Sequence, residues 1–220
     1  MTLSEIRATA RAQLGGSPLH NIWLRALLIC LFIAIITGAA AAIPTGLLTL
    51  IIMGPLNYGL CFLFLKQHRS HRPMYMGDLF NGFTDDFGQT FLIGLLSGIF
   101  VFLWSLLLLV PGLVKSYAYS QKYYIKADHA DYDWRQCLTA SEELMEGHKG
   151  QLFLLDLSFL GWYLLGALLL GIGIFWVMPY HQAARAIFYN ELILSRREAE
   201  ADARDDPADD FRDDSADDDW

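Results

Sequence analysis

Three lysines, Lys115, Lys122 and Lys126, stand at i, i+7 and i+11 in the stretch VPGLVKSYAYSQKYYIKAD. On one continuous helix they share a face, with Tyr119 between them. Such a stripe can receive an anion or a lipid head group if it faces a bundle or a watery cavity, because lysine against lipid is costly. On a helix lying at the membrane surface the same lysines would instead snorkel toward water. Asp156 is the acid that could answer them, with Ser158 and Trp162 following. Arg185 is a base in a later apolar stretch, beside His181 and Gln182. Ionisable residues inside such stretches are functional candidates and usually pair. Lys115, Lys122, Lys126, Asp156 and Arg185 therefore form a candidate intramembrane charge network. Its bland counterpart is a structural ion pair that fixes helix packing.

A second basic set has interfacial chemistry. The loop ADHADYDWRQCLTASEELMEGHKG reads as a helix capped by Asp131 or Asp133 and ended by Gly147. His148 and Lys149 then suit its C-terminal dipole, or grip lipid phosphate at the inner leaflet. Arg69 and Arg72 in HRSHR flank His68 and His71. A cationic cluster repels a metal ion, so this reads as another inner-leaflet contact. DHADYD lacks the glycine and terminal glutamate of an EF-hand loop. EELMEGH has no second histidine. HExxH, GxSxG and Walker A patterns are absent. Cys30, Cys61 and Cys137 form no CxxC pair, so neither a disulfide framework nor a thiolate metal site follows. No catalytic residue, metal or cofactor is expected.

The elements that must hold these residues are apolar. Hydrophobic residues make up 54% of the 220. Residues 26–65, 90–114 and 157–184 carry no charged side chain. About 20 apolar residues span a bilayer as helix, and the pattern lacks the alternation of a membrane barrel. The first run must be two helices turning at IPTG, residues 43–46. Reading VPG at 110–112 and LGIG at 170–173 as outer turns gives six spans. Both basic loops, the N-terminus and Arg196-Arg197 then fall inside; a four-span reading puts the most basic loop outside, against the positive-inside rule. The returning segment 113–128 would reach only about 24 Å, so it is short, tilted or partly inserted. Depth along these spans ranks Lys122 and Lys126 first as partners of Asp156, Arg185 second, and Lys115, near the outer turn, last. GQTFL at Gly88 and GQLFL at Gly150 repeat at the start of two runs, as a threefold hairpin array would. Six tryptophans and ten tyrosines suit interfacial belts.

The flanks differ from the middle. Residues 1–20 lack the apolar region of a signal peptide; Ile6, Ala10 and Leu14 with Arg7 and Arg11 read as a cytoplasmic amphipathic helix. Residues 21–195 form the transmembrane helical domain. Residues 196–220 read as an acidic, disordered tail. Its last 23 residues hold 12 acidic and 2 basic side chains, leaving the rest of the chain at +2. The expected fold is thus all-α: a polytopic bundle of about six spans in three hairpins, with a cytoplasmic helix between spans four and five.

One family pattern fits this order. LWSLLLLVPGLVKSYAYSQKYYIKAD is followed by SEELMEGHKGQLFLLDLSFLGW, LLLGIGIFWVMPY and AIFY. The chain resembles the DUF975 family of bacterial integral membrane proteins of undefined function. The elements fall at Ser141, Leu144-Met145, Gly147-His148-Lys149, Asp156 to Phe159, Pro179-Tyr180 and Phe188-Tyr189. The acidic tail is outside the pattern. The resemblance implies a helical membrane fold and brings no reaction, substrate or catalytic residue.

The function expected from all this is non-enzymatic: an accessory protein of the bacterial cytoplasmic (inner) membrane, both termini inside, that binds lipid or a membrane partner. Its partners would be membrane lipids, another membrane protein or a second copy of itself, and no nucleic acid. The alternative is a small transporter or channel subunit for an anionic solute, with a membrane enzyme third. Paired charges favour the first; a continuous polar path through Lys122, Asp156 and Arg185 favours the second.

Overall fold

A computed structural model describes residues 2–13, 21–41, 47–70, 74–84, 86–168 and 172–204, and every regular element among them is helical. The turn expected at 43–46, the first half of that at 170–173, His71, Arg72 and the acidic segment beyond Arg204 lie outside the described residues.

Helix α1 (Leu3–Gln13) starts on a reciprocal cap. The Glu5 amide donates to the Thr2 hydroxyl at 3.4 Å and the Thr2 amide donates to the Glu5 carboxylate at 2.7 Å. Its buried Ile6 and Ala10 face the bundle. The Tyr180 hydroxyl donates to the Arg7 carbonyl at 3.0 Å, and Arg11 lies 5.8 Å over the Tyr180 ring. The apolar face expected of an amphipathic helix here packs on the bundle.

Helices α2 (Asn21–Ala41) and α3 (Leu47–Ser70) follow, then a 3-10 turn (Met76–Phe80) and the short α4 (Asn81–Thr84). Next come α5 (Phe87–Leu107), α6 (Leu109–Ala118), α7 (Lys122–Asp128) and α8 (Trp134–Leu144). The chain ends in α9 (Lys149–Leu168) and α10 (Ile172–Arg204). Two helices form the hub. α10 packs against α1, α2, α3 and α9, and α3 packs against α2, α5, α7 and α10. The shared core is built from Leu56, Phe64, Ile93, Tyr124, Phe159 and Tyr189. Close approach is bought with glycine at the crossings: a Cβ on Gly94 would sit 3.0 Å from the Gly54 Cα, and one on Gly173 would sit 2.6 Å from the Gly166 Cα.

The segment after α5 departs from expectation. The chain reverses at Leu108 (φ −157°, ψ 135°), not at Pro111-Gly112. Pro111 instead sits in the first turn of α6, where a missing N–H costs nothing. The returning leg is not one helix either, since residues 119–121 form a turn between α6 and α7. That turn breaks the lysine stripe: Lys115 belongs to α6, Lys122 and Lys126 to α7.

Helix α8 has the expected cap at Asp133. Its carboxylate accepts the Gln136 amide at 2.8 Å, and the Gln136 side chain accepts the Asp133 amide at 2.9 Å. Gly147 adopts φ 77° in the turn beyond. His148 and Lys149 therefore stand at the start of α9, not in the last turn of α8. Helix α10 runs on to Arg204, past the boundary at 196. Arg196 donates to Glu200 one turn later at 3.3 Å, and Ala199, Ala201 and Ala203 favour the helix.

Helices α5 and α9 are long and apolar enough to cross a membrane, with mean hydropathy 2.2 and 1.5, yet only 17% and 22% of their apolar stretches are buried. The core helix of a soluble protein would be mostly covered. The surface they present, with α2 and α6, is a belt of large side chains: Phe102 is 65% exposed, Leu109 80% and Leu168 84%, and Leu28 and Ile35 extend it.

Candidate functional site

Asp156 lies seven residues into α9, facing α10. Its Oδ2 receives Arg185 Nη2 at 2.5 Å and its Oδ1 receives Arg185 Nε at 3.2 Å. His181 Nε2 lies 2.8 Å from Oδ1, and the other ring nitrogen lies 3.0 Å from the Tyr163 hydroxyl. The Tyr117 hydroxyl of α6 donates to Oδ2 at 3.3 Å. The carboxylate thus accepts a two-pronged guanidinium, the strongest geometry for such a pair, and two further groups. Arg185, expected second, is the partner, and neither Lys122 nor Lys126, expected first, pairs with Asp156. His181 was not singled out as a partner, although its place four residues before Arg185 puts both on one helical face.

The lysines have separate roles. Lys126 is 2% exposed, and its ammonium donates to Asp86 at 2.8 Å and to the carbonyls of Ala130 and Tyr132 at 2.7 and 2.9 Å. All three of its donors are used, and the loop before α8 is tied to the start of α5. Lys115 pairs with Glu142 of α8 and lies 5.8 Å over the Trp104 ring. Its carboxylate partner thus comes from α8, and not from Asp156.

Arg69 is committed within the protein. It meets the Asp128 carboxylate through two nitrogens, at 2.5 and 2.9 Å, and donates to Asn190 at 3.1 Å. The Tyr189 hydroxyl also donates to Asp128, at 2.8 Å. This clamp joins α3, α7 and α10. His148 Nδ1 lies 2.9 Å from the Glu146 carbonyl, and His148 and Lys149 are half-buried.

Lys122 differs from the others. Among the described residues no carboxylate pairs with it. Its ammonium donates to Ser97 of α5 at 2.5 Å and lies 5.1 Å from the Tyr123 ring centroid. Lys122 lines two cavities. One, of about 690 Å³, is mainly apolar and runs between α3 and α5 past Met53, Leu95, Gly98, Ile99 and Phe102. The other, of about 380 Å³, includes Cys61, Ser116, Tyr117, Gln182 and Arg185. Asn57, Lys122 and Tyr123 line both. Both volumes lie within the roughly 300–1,000 Å³ typical of ligand sites.

Among the described residues no group of three His, Cys, Asp or Glu side chains could hold a metal ion. Residues 106–196 match the family model DUF975, a protein of unknown function. No curated protein and no solved structure matches the chain.

Proposed function

Starting from a chain whose residues 106–196 match DUF975, we propose a non-enzymatic integral membrane protein that binds lipid or a membrane partner. The observation that carries this reading is the pairing of charges between its helices. Asp156 is held by Arg185 and His181, Lys126 by Asp86, Lys115 by Glu142 and Arg69 by Asp128. Charges spent on one another fix helices; they do not line a path. The exposed apolar belt supplies the surface that lipid, a second copy or another membrane protein would cover.

In this reading the chain crosses the bacterial inner membrane six times as three hairpins, α2–α3, α5 with α6–α7, and α9–α10, with both termini cytoplasmic. The returning leg of the second hairpin is divided between α6 and α7. A transporter for a small anion is the second reading, favoured by the polar cavity that Lys122 and Arg185 both line.

Reconstitution separates the two. Proteoliposomes of the full-length protein should take up phosphate, sulfate and chloride no faster than empty vesicles, and lipid should copurify with the protein. Saturable anion uptake abolished by Lys122→Met would overturn the binding reading in favour of transport.

A further inference from the structure

Building on the lipid-binding reading, we infer that the paired cavities around Lys122 form a site for one phospholipid with a monoanionic phosphodiester head. Three observations lead there.

The first is charge. The polar cavity holds two cations, Lys122 and Arg185. Arg185 is neutralised by Asp156, with Nη2 at 2.5 Å from Oδ2. Lys122 has no acidic partner among the described residues and spends one donor on Ser97. An ammonium carries three donors, and a desolvated cation left without an anion is costly. A head group with one negative charge balances the cavity.

The second is shape. The apolar cavity and the polar cavity share Lys122, Asn57 and Tyr123 in their linings. An apolar and a polar compartment that share one lining cation match a molecule that is apolar along its length and anionic at one end. A free inorganic anion would leave the larger compartment unused.

The third is access. Met53, Ile99 and Phe102 line the apolar compartment and are themselves 44%, 45% and 65% exposed. They belong to the same surface as the apolar belt on α5 and α6. The groove therefore opens sideways into the belt, and its occupant comes from the bilayer. The site was assembled from a lysine the sequence singled out and from Asn57, Ser97 and Gly98, which it did not.

The test uses the full chain in bilayers of equal phosphatidylglycerol and phosphatidylcholine with identical acyl chains. The protein is then extracted in mild detergent, and retained lipid is counted by native mass spectrometry. Both lipids offer the same phosphodiester oxygens, but the choline cation of phosphatidylcholine cancels the charge that Lys122 needs, so the wild type should retain phosphatidylglycerol in about tenfold preference, or about 1.4 kcal/mol. Lys122→Met should abolish the preference, and Lys122→Arg should keep it. Gly98→Leu fills the apolar compartment from a position whose added Cβ meets nothing within 4 Å. It should reduce retention of both lipids while thermal melting stays that of the wild type. An unchanged preference in Lys122→Met would overturn the head-group assignment and leave lipid binding standing. Retention of neither lipid by the wild type would overturn the lipid-binding reading as well.

Discussion

Asp156 accepts from a guanidinium, an imidazole and a phenol, so its removal strands a cation in a half-buried site. Breaking a buried pair costs about 3–5 kcal/mol; Arg185 is 33% exposed, which places Asp156→Ala toward the lower end. In detergent unfolding, a cycle of Asp156→Ala with Arg185→Met should show coupling of about 1–3 kcal/mol. A cycle with Lys122→Met should show almost none, and equal coupling to both would mean that the network is shared. Sequence alone ranked Lys122 and Lys126 above Arg185 because it carried one straight helix through 113–128. The turn at 119–121 removes the premise, and Lys126 spends its donors on loop carbonyls that no sequence pattern announces. The acid itself was legible, since a carboxylate in an apolar run needs a partner wherever that partner comes from.

Helix α8 was the most legible element, because its start is written in local chemistry. Asp133 and Gln136 complete the cap within four residues, so no distant contact had to be known. Asp133→Ala should cost about 1 kcal/mol, and Asp133→Asn should recover most of it. The same helix carries Cys137, fully buried beneath the loop tied by Lys126. Burial pushes its thiol up from 9.0 to about 11. The folded state therefore holds the thiol proton more tightly than the unfolded chain does. Stability from this group is complete below pH 9 and is lost between pH 9 and 11. At pH 8 the docked helix should resist maleimide, and Asp133→Ala should speed labelling of Cys137 by loosening α8. Labelling as fast as that of an exposed cysteine before the substitution would show that α8 is not docked. The Leu108 reversal was less legible: Pro and Gly mark turns well, but Pro also suits a first helical turn, and here that use prevailed.

The whole molecule separates charge from apolar surface by position. Residues 205–220 hold nine acidic side chains and one basic, which accounts for the entire net charge of −8. The first 204 residues balance. Truncation after Arg204 should leave detergent melting unchanged and move the isoelectric point up from about 5.1; a large fall in melting temperature would mean that the segment docks on the basic loops. The larger question is whether the apolar belt enters a bilayer, and how far. Helix α6 has ten residues, or about 15 Å of rise, half of a roughly 30 Å hydrocarbon core. Six full crossings therefore require α7 to continue the second hairpin through the inner half, although Lys115 of α6 already touches α8. Single cysteines on a background without Cys30, Cys61 and Cys137 decide this. Leu108→Cys marks the tip between α5 and α6, where the native side chain is 63% exposed. Ser70→Cys marks the exposed end of α3. With six crossings, an impermeant maleimide added outside intact cells reaches position 108 and not position 70. Labelling of 70 from outside would invert the topology. Protection of 108 from both sides, with 70 reached only after lysis, would leave the second hairpin buried within the bilayer and remove two crossings.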